Sequence, residues 1–371
     1  MQLTFIDLFS GIGGFRRGME VEGHKCVGHC EWDKYADTSY RAIHDVKEGE
    51  WFCGDIRKAN ADDIPKCDVW CFGAPCQDFS IAGERKGLDG DRSSLVKEVF
   101  RLIRDTKEEN RPKYLIYENV KGMLSSNKGW DFAFIIIEME ELGYNIEYQV
   151  LNSKDFGVPQ NRERVFTVGH LRGRSTRKVF PINGTAGENS LKQIVGGSQG
   201  NRVYSIDGVG STLSANGGGQ GAKTGLYAIP VLTPDRVNKR QNGRRFKEPG
   251  DPMFTLTAQD RHGVAIKVGN TSPSGKSQCN DVFSDKGIYP TLLAGTHGNC
   301  NSSILTNCRI RKLTPLECWK LQGWSNKDFY KAKKSLCDTY YKGKDKADSQ
   351  LYKQAGNGVT TTVIREIAKR L

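Results

Sequence analysis

The chain has 371 residues, room for one large domain and a smaller one, with the 37% hydrophobic and 26% charged content of a globular protein. No apolar run approaches the ~18 residues of a membrane span, and a strand-like segment starts at residue 3, leaving no room for a cleavable leader and pointing to the cytoplasm. The formal charge of +12 suits a polyanion-binding surface, and the 11 cysteines include no C-x-x-C pair or zinc-type Cys/His grouping, so reduced structural thiols and no metal site are expected.

From residue 1 to about 170, short strand-like runs alternate with helix-like segments, the pattern of a parallel α/β sheet. The first run, Thr4–Phe9, leads through Ser10-Gly11-Ile12-Gly13-Gly14-Phe15 into a helix. Glycines there let backbone N–H groups approach a ligand, and a helix N-terminus favours anionic or polar groups. The spacing departs from G-x-G-x-x-G, which counts against a nicotinamide oxidoreductase. The next run, Lys25–Cys30, ends at Glu31 and Trp32. A strand-end carboxylate suits a ribose hydroxyl, and an indole suits a ring the size of adenine. Gly54-Asp55-Ile56 adds an acid at a turn, placed for an exocyclic amine. Singly, each reads as a surface acid or a core aromatic; in this order they outline a nucleoside pocket.

Val69–Phe72 reads as a short buried strand delivering Gly73-Ala74-Pro75-Cys76-Gln77-Asp78-Phe79-Ser80, a cysteine in a loop stiffened by glycine and proline. Open α/β sheets build their sites at such strand ends. Residues 78–94 carry Gly83, Gly87 and Gly90 with Arg85, Lys86 and Arg92; they read either as an ordinary surface loop or as a mobile segment that touches phosphates. A helix is predicted over Ser94–Lys107, where Leu95, Val99, Leu102 and Ile103 share one face. Leu115–Tyr117 then delivers a carboxylate, Glu118, beside Asn119. A helix over Phe132–Leu142 and strands over Asn145–Leu151 and Arg164–Gly169 complete this part.

Residues 172–309 turn rich in Gly, Ser, Asn and Arg. A T-L-x-A unit recurs at 210–215, 253–258 and 289–294, each followed by a polar stretch and a short strand such as Gly225–Ile229, Gly263–Ile266 or Ser303–Leu305. Similar β-hairpins explain the repeat, and an irregular β-rich module that reads a substrate surface is compatible with them. Helices return at Thr314–Leu321, where Thr314-Pro315 is a start signal, and at Thr361–Leu371. The lysine-rich stretch Ser325–Gln354 between them reads as a solvated face or a flexible connection. The histidines at 24, 29, 44, 170, 262 and 297 fall on no catalytic pattern, and core, surface or recognition roles are expected for them.

Over nearly its full length the chain resembles the DNA (cytosine-5)-methyltransferases of prokaryotic or phage type. The resemblance rests on DLFSGIGGF at 7–15, Glu31-Trp32, Gly54-Asp55-Ile56, GAPCQDFSIAG at 73–83, Glu118-Asn119-Val120, Gln160-Asn161-Arg162-Glu163-Arg164, RKLTPLECWKLQGW at 311–324 and QAGNGV at 354–359. It implies a doubly wound, Rossmann-like, mostly parallel sheet of the class I AdoMet methyltransferase kind, from residues 1–170 and 311–371. Residues 171–310 would form the smaller, irregular β-rich target-recognition domain.

The resemblance also implies roles. Cys76, in the family's P-C-Q, would be the nucleophile, with Glu118, Arg162 and Arg164 assisting and Arg164 partly structural. S-adenosyl-L-methionine (AdoMet) would be held by Phe9, Gly11, Ile12, Gly13, Glu31, Trp32, Asp55, Ile56, Pro75, Leu95, Asn357 and Val359. The substrate would be double-stranded DNA, with its target cytosine flipped out, contacted by Gln77, Ser80, Arg85, Asn119, Gln160, Thr212, Thr255 and Thr291. The T-L-x-A units resemble the T-L pair of such recognition domains. The family implies a monomer on DNA, acting in a bacterial cell or, if phage-encoded, in the host cytoplasm, and leaves room for a cognate restriction endonuclease. A transfer-RNA cytosine methyltransferase of the same fold and a catalytically silent DNA-binding regulator are the alternatives.

Overall fold

A computed structural model describes residues 2–74, 94–184, 193–195, 202–205, 211–213, 226–230, 267–270, 281–283, 303–304, 308–311 and 313–371. The chain divides into two compact units, Met1–Gly187 with Pro315–Leu371, and Glu188–Thr314.

The first unit is built on seven strands: β1 (Thr4–Leu8), β2 (Lys25–Cys30), β3 (Trp51–Cys53), β4 (Val69–Phe72), β5 (Tyr114–Val120), β6 (Tyr144–Asn152) and β7 (Glu163–Leu171). Their order across the sheet is β3-β2-β1-β4-β5-β7-β6. Neighbours run parallel as far as β5, and β7 runs antiparallel to both β5 and β6. The order reverses between β1 and β4, which opens the crevice where such sheets take ligands.

Alternate residues of the central strands feed opposite faces, as a two-residue period requires. Ile6, Leu8, Trp70, Phe72, Leu115 and Tyr117 enter one core, while Phe5, Val69, Cys71 and Ile116 enter the other. All four residues of β4 are buried, as expected of a strand covered on both faces. The first core is closed by Val99, Phe100, Leu102 and Ile103 of α3 (Ser94–Asp105) and by Ile135 and Met139 of α4 (Trp130–Glu141). The second is closed by Phe15 and Met19 of α1 (Gly14–Val21) and by Val363, Ile364 and Ile367 of the C-terminal helix Thr361–Ala368.

Helix α2 (Lys34–His44) was not legible as an apolar stripe. Its buried face is Ala36, Ser39, Tyr40 and Ile43, and Asp33 caps it by accepting from the Tyr35 and Ala36 amides. The helices after residue 314 are α5 (Pro315–Lys320), α6 (Asn326–Tyr340), α7 (Asp348–Asn357) and α8 (Thr361–Ala368). The lysine-rich stretch expected to be a solvated face or a flexible connection is therefore two helices. Ser325 caps α6, which buries Phe329, Ala332, Leu336 and Cys337, and Lys331 and Lys333 reach out to Asp45 and Asp345.

The second unit is β-rich in its described residues. One sheet has the order β14-β10-β9-β8, from Cys308–Arg311, Leu226–Pro230, Val203–Ser205 and Gln193–Val195. A three-stranded sheet pairs β11 (Lys267–Asn270), β12 (Asp281–Phe283) and β13 (Ser303–Ile304). The strands expected at Gly225–Ile229 and Ser303–Leu305 coincide with β10 and β13. The one expected at Gly263–Ile266, and the T-L-x-A units at 253–258 and 289–294, lie outside the described residues. Among the described residues no helix is long and apolar enough to cross a membrane.

Candidate active site

The carboxyl ends of β1, β2 and β3 place three polar groups in a row. Beyond β1 the chain turns through Phe9 and Gly11, both left-handed at φ 54° and 55°, before α1 begins. A Cβ built on Gly11 would meet nothing within 4 Å, so this turn borders open space. Glu31, beyond β2, accepts from the Gly11 amide at 2.7 Å and from the Asp33 amide at 2.7 Å, fixing both carboxylate oxygens. Burial raises its pKa above the ordinary glutamate value, and those two N–H bonds only partly offset the effect. Trp32 beside it is 69% exposed. Asp55 follows β3, the strand that pairs with β2.

The side chain of Ile12 is buried, and its carbonyl accepts from His44 Nε2 at 3.1 Å, so α2 pins the glycine turn from below. Burial lowers the pKa of His44, which favours the neutral ring that donates this bond. Sequence reasoning gave His44 only a core, surface or recognition role, because nothing in its spacing marks this contact. It passed over Arg57, whose Nε and Nη2 each reach Asp55 at 2.9 Å and whose guanidinium lies 4.9 Å over the Trp32 ring. The D-x-R spacing was the available signal for that residue.

The second group of residues surrounds Gly73, just past β4. A Cβ there would lie 3.3 Å from Glu118 Oε2, 3.7 Å from the Phe15 ring and 3.8 Å from Val359 Cγ2. The first motif, the β5 carboxylate and the C-terminal motif thus meet at Gly73, where only the Glu118 approach is tight enough to favour glycine. Glu118 is 9% exposed and pairs with Arg164 Nε at 3.0 Å. The antiparallel register that sets Glu118 opposite Phe166 brings Arg164 to the same end of β5, opposite Val120.

Arg162 is buried at 3% exposure and donates from Nη2 to the carbonyls of Gly356 at 3.2 Å and Gly358 at 2.9 Å. Its desolvation pushes the pKa down to about 9, with Arg164 as the second cause. Arg162 thus ties the start of β7 to the turn after α7, while Arg164 pairs with the Glu118 carboxylate. That turn also approaches α1: a Cβ on Gly14 would sit 2.5 Å from the Val359 carbonyl oxygen. Asn357, last residue of α7, is exposed, and Leu95 on α3 is half-buried against the first core.

Two residues expected to contact substrate make hydrogen bonds within the first unit. Gln160 is fully buried and accepts from Gln322 Nε2 at 3.5 Å; Gln322 also donates to the Ala355 carbonyl and accepts from Thr360 Oγ1, which meets Ser153 Oγ. Asn119 donates to the Tyr117 hydroxyl and accepts from the Val120 amide at 2.7 Å. Thr212, in the second unit, lies half-buried between buried Ser211 and Leu213. Pro75, Cys76, Gln77, Ser80, Arg85, Thr255 and Thr291 lie outside the described residues. His24 and His29 are buried, in keeping with core roles.

The family described as C-5 cytosine-specific DNA methylase matches residues 3–371. An orphan methyltransferase, M.SPBetaI of Bacillus phage SPbeta, is 32% identical, covering 100% of this chain and 97% of its own length. The type II methyltransferase M.HhaI of Haemophilus parahaemolyticus is 36% identical over 61% of this chain and 78% of its own. Among solved structures, the Entamoeba histolytica methyltransferase EhMeth matches with a TM-score of 0.60 at 17% identity, covering 99% of this chain and 96% of that one, a likeness of fold. With the match spanning both units and every motif named above, the chain belongs to the C-5 cytosine-specific DNA methylase family.

Proposed function

We propose that this protein transfers a methyl group from AdoMet to C5 of a flipped-out cytosine in a specific duplex DNA sequence, through a covalent bond between Cys76 and C6 of the base. The observation that carries the reading is the Glu118–Arg164 pair, set at 3.0 Å beside the Gly73 backbone three residues before Cys76. A carboxylate held by an arginine beside a cysteine loop is the equipment that addition to a pyrimidine ring requires.

Cytosine C5 is a poor nucleophile while its ring is aromatic. Addition of the Cys76 thiolate to C6 breaks that aromaticity and leaves electron density on C5. A free thiol is only a few per cent ionised at about pH 7, so basic neighbours or a helix terminus must assist it. Glu118, by sharing a proton with ring N3, stabilises charge that develops on the base during attack. Arg164 orients Glu118 and is assigned to the base carbonyl, while Arg162 keeps the 356–358 backbone in place. Once C5 is methylated, its proton leaves to water and Cys76 is expelled, restoring the ring. A base inside a duplex is out of reach of this chemistry, hence the flipping.

Glu31 and Asp55 are acceptors for ribose hydroxyls and an exocyclic amine, Trp32 offers an open aromatic face, and the Gly11 turn borders space. Their negative balance suits a cationic ligand. When bound, AdoMet supplies an electrophilic sulfonium methyl. Phe9, Gly13, Ile56, Pro75, Leu95, Asn357 and Val359 complete the proposed pocket, with Ile12 serving through its backbone. The β-rich unit is proposed to read the DNA, through the T-L-x-A residues among others, and the enzyme to act as a monomer in the cytoplasm. A tritiated-methyl assay comparing duplex DNA with transfer RNA tests the reading. Label in duplex DNA is expected; label confined to transfer RNA would overturn it in favour of the RNA enzyme.

A further inference from the structure

Arg57 makes two contacts at once, and both are with groups that the proposed pocket reserves for adenine. Its guanidinium fork meets both oxygens of Asp55, and its flat face lies over the exposed indole of Trp32. The two strands that deliver these groups, β2 and β3, are adjacent, so one planar ligand can span them. A guanidinium and an aminopurine present the same features here: a flat π face and N–H donors in its plane. Asp55 Oδ1 also accepts from the Arg57 backbone amide at 3.1 Å, so the side chain can leave while the carboxylate stays anchored. Arg57 is 54% exposed and has room to swing, with the field of Glu98 on α3 also reaching it.

We propose that Arg57 is a latch on the adenine position, competing with the nucleotide for Asp55 and the Trp32 face and swinging out as the nucleotide enters. The proposal rests on the pocket being the AdoMet site. An exposed ion pair and an exposed cation–π contact each change an equilibrium only a few-fold, so the latch weakens binding by about three- to tenfold.

Isothermal titration of the full chain with AdoMet and with S-adenosylhomocysteine tests it, using wild type, Arg57→Ala and Arg57→Lys. Arg57→Ala is expected to tighten both ligands by the same factor, about three- to tenfold. Arg57→Lys keeps the charge without the fork or the plane, and is expected to resemble Arg57→Ala. Tightening of AdoMet alone would mean simple repulsion of the sulfonium charge and would overturn the latch. Unchanged or weaker binding in Arg57→Ala, or a wild-type response from Arg57→Lys, would overturn it too. A wild-type chain that binds neither ligand would sink the cofactor reading itself, and the latch with it.

Discussion

Replacing Arg162 with alanine isolates the contribution of one buried cation to the junction between β7 and the C-terminal motif. The guanidinium donates to the Gly356 and Gly358 carbonyls at 3.2 and 2.9 Å from a position only 3% exposed. Alanine leaves both carbonyls without that donor in a place water reaches poorly, at ~1–3 kcal/mol each. Relief of the guanidinium's own desolvation, which holds its pKa down to about 9, offsets part of this loss. The net expectation is about 2–3 kcal/mol, or about 5–10 °C in melting temperature for a unit of this size. Thermal unfolding followed by circular dichroism measures it, with Arg104→Ala as control. Arg104 pairs with Glu138 on the surface, with 55% of its side chain exposed, so its loss is expected to change stability by less than about 1 kcal/mol. Because the anchored turn also carries Asn357 and Val359, Arg162→Ala is expected to weaken AdoMet binding as well. A variant that melts within about 2 °C of wild type would refute the reasoning, since two unsatisfied buried carbonyls are not that cheap.

Other outcomes follow from the same geometry. Glu118→Gln is expected to lower turnover by about 10²–10⁴-fold while AdoMet affinity holds, checked by single-turnover kinetics beside titration calorimetry. Gly14→Ala puts a methyl 2.5 Å from the Val359 carbonyl oxygen and is expected to cost about 1–3 kcal/mol in a denaturant titration. The raised pKa of Glu31 means that its native carboxyl takes up a proton at a higher pH than in the unfolded chain. Its stability term is therefore fully present below the unfolded pKa and lost as pH rises through the folded one. Cofactor binding has the opposite sign, because the charged carboxylate is the better acceptor: affinity is expected to fall on acidification, with a midpoint above that of an ordinary glutamate, and Glu31→Gln to flatten the profile. DNA affinity is expected to drop steeply between low and moderate salt, given the +12 charge, and an unchanged binding isotherm would count against a phosphate-tracking surface.

Six of the seven strands of the sheet were legible, the central ones because burial on both faces demands continuous apolar runs, as in Val69–Phe72 and Leu115–Tyr117; β3 (Trp51–Cys53), three residues long and only partly buried, was missed. Their motifs were legible because site residues cluster at strand ends. Helix α2 escaped notice because Ala36 and Ser39 are small or polar and leave only Tyr40 and Ile43 as large residues on its buried face. Helix α6 escaped notice because lysines crowd the sequence between Phe329, Ala332 and Leu336, masking a sound 3.6-residue stripe. The division of labour between Arg162 and Arg164 could not be read from a pattern that contains both. It follows from position: Arg164 lies in β7, opposite Val120 at the end of β5 that carries Glu118, whereas Arg162 precedes the strand and reaches the Gly356 and Gly358 carbonyls. The Gln160–Gln322 contact likewise joins residues far apart in sequence, and only packing reveals it.

The most direct test of the central claim is bisulfite sequencing of plasmid DNA from cells expressing the chain or its Cys76→Ser variant. The account expects protected cytosines confined to one sequence context with the wild-type chain and none with the variant. Protection that persists unchanged in Cys76→Ser, or plasmid left unprotected by the wild-type chain, would contradict it.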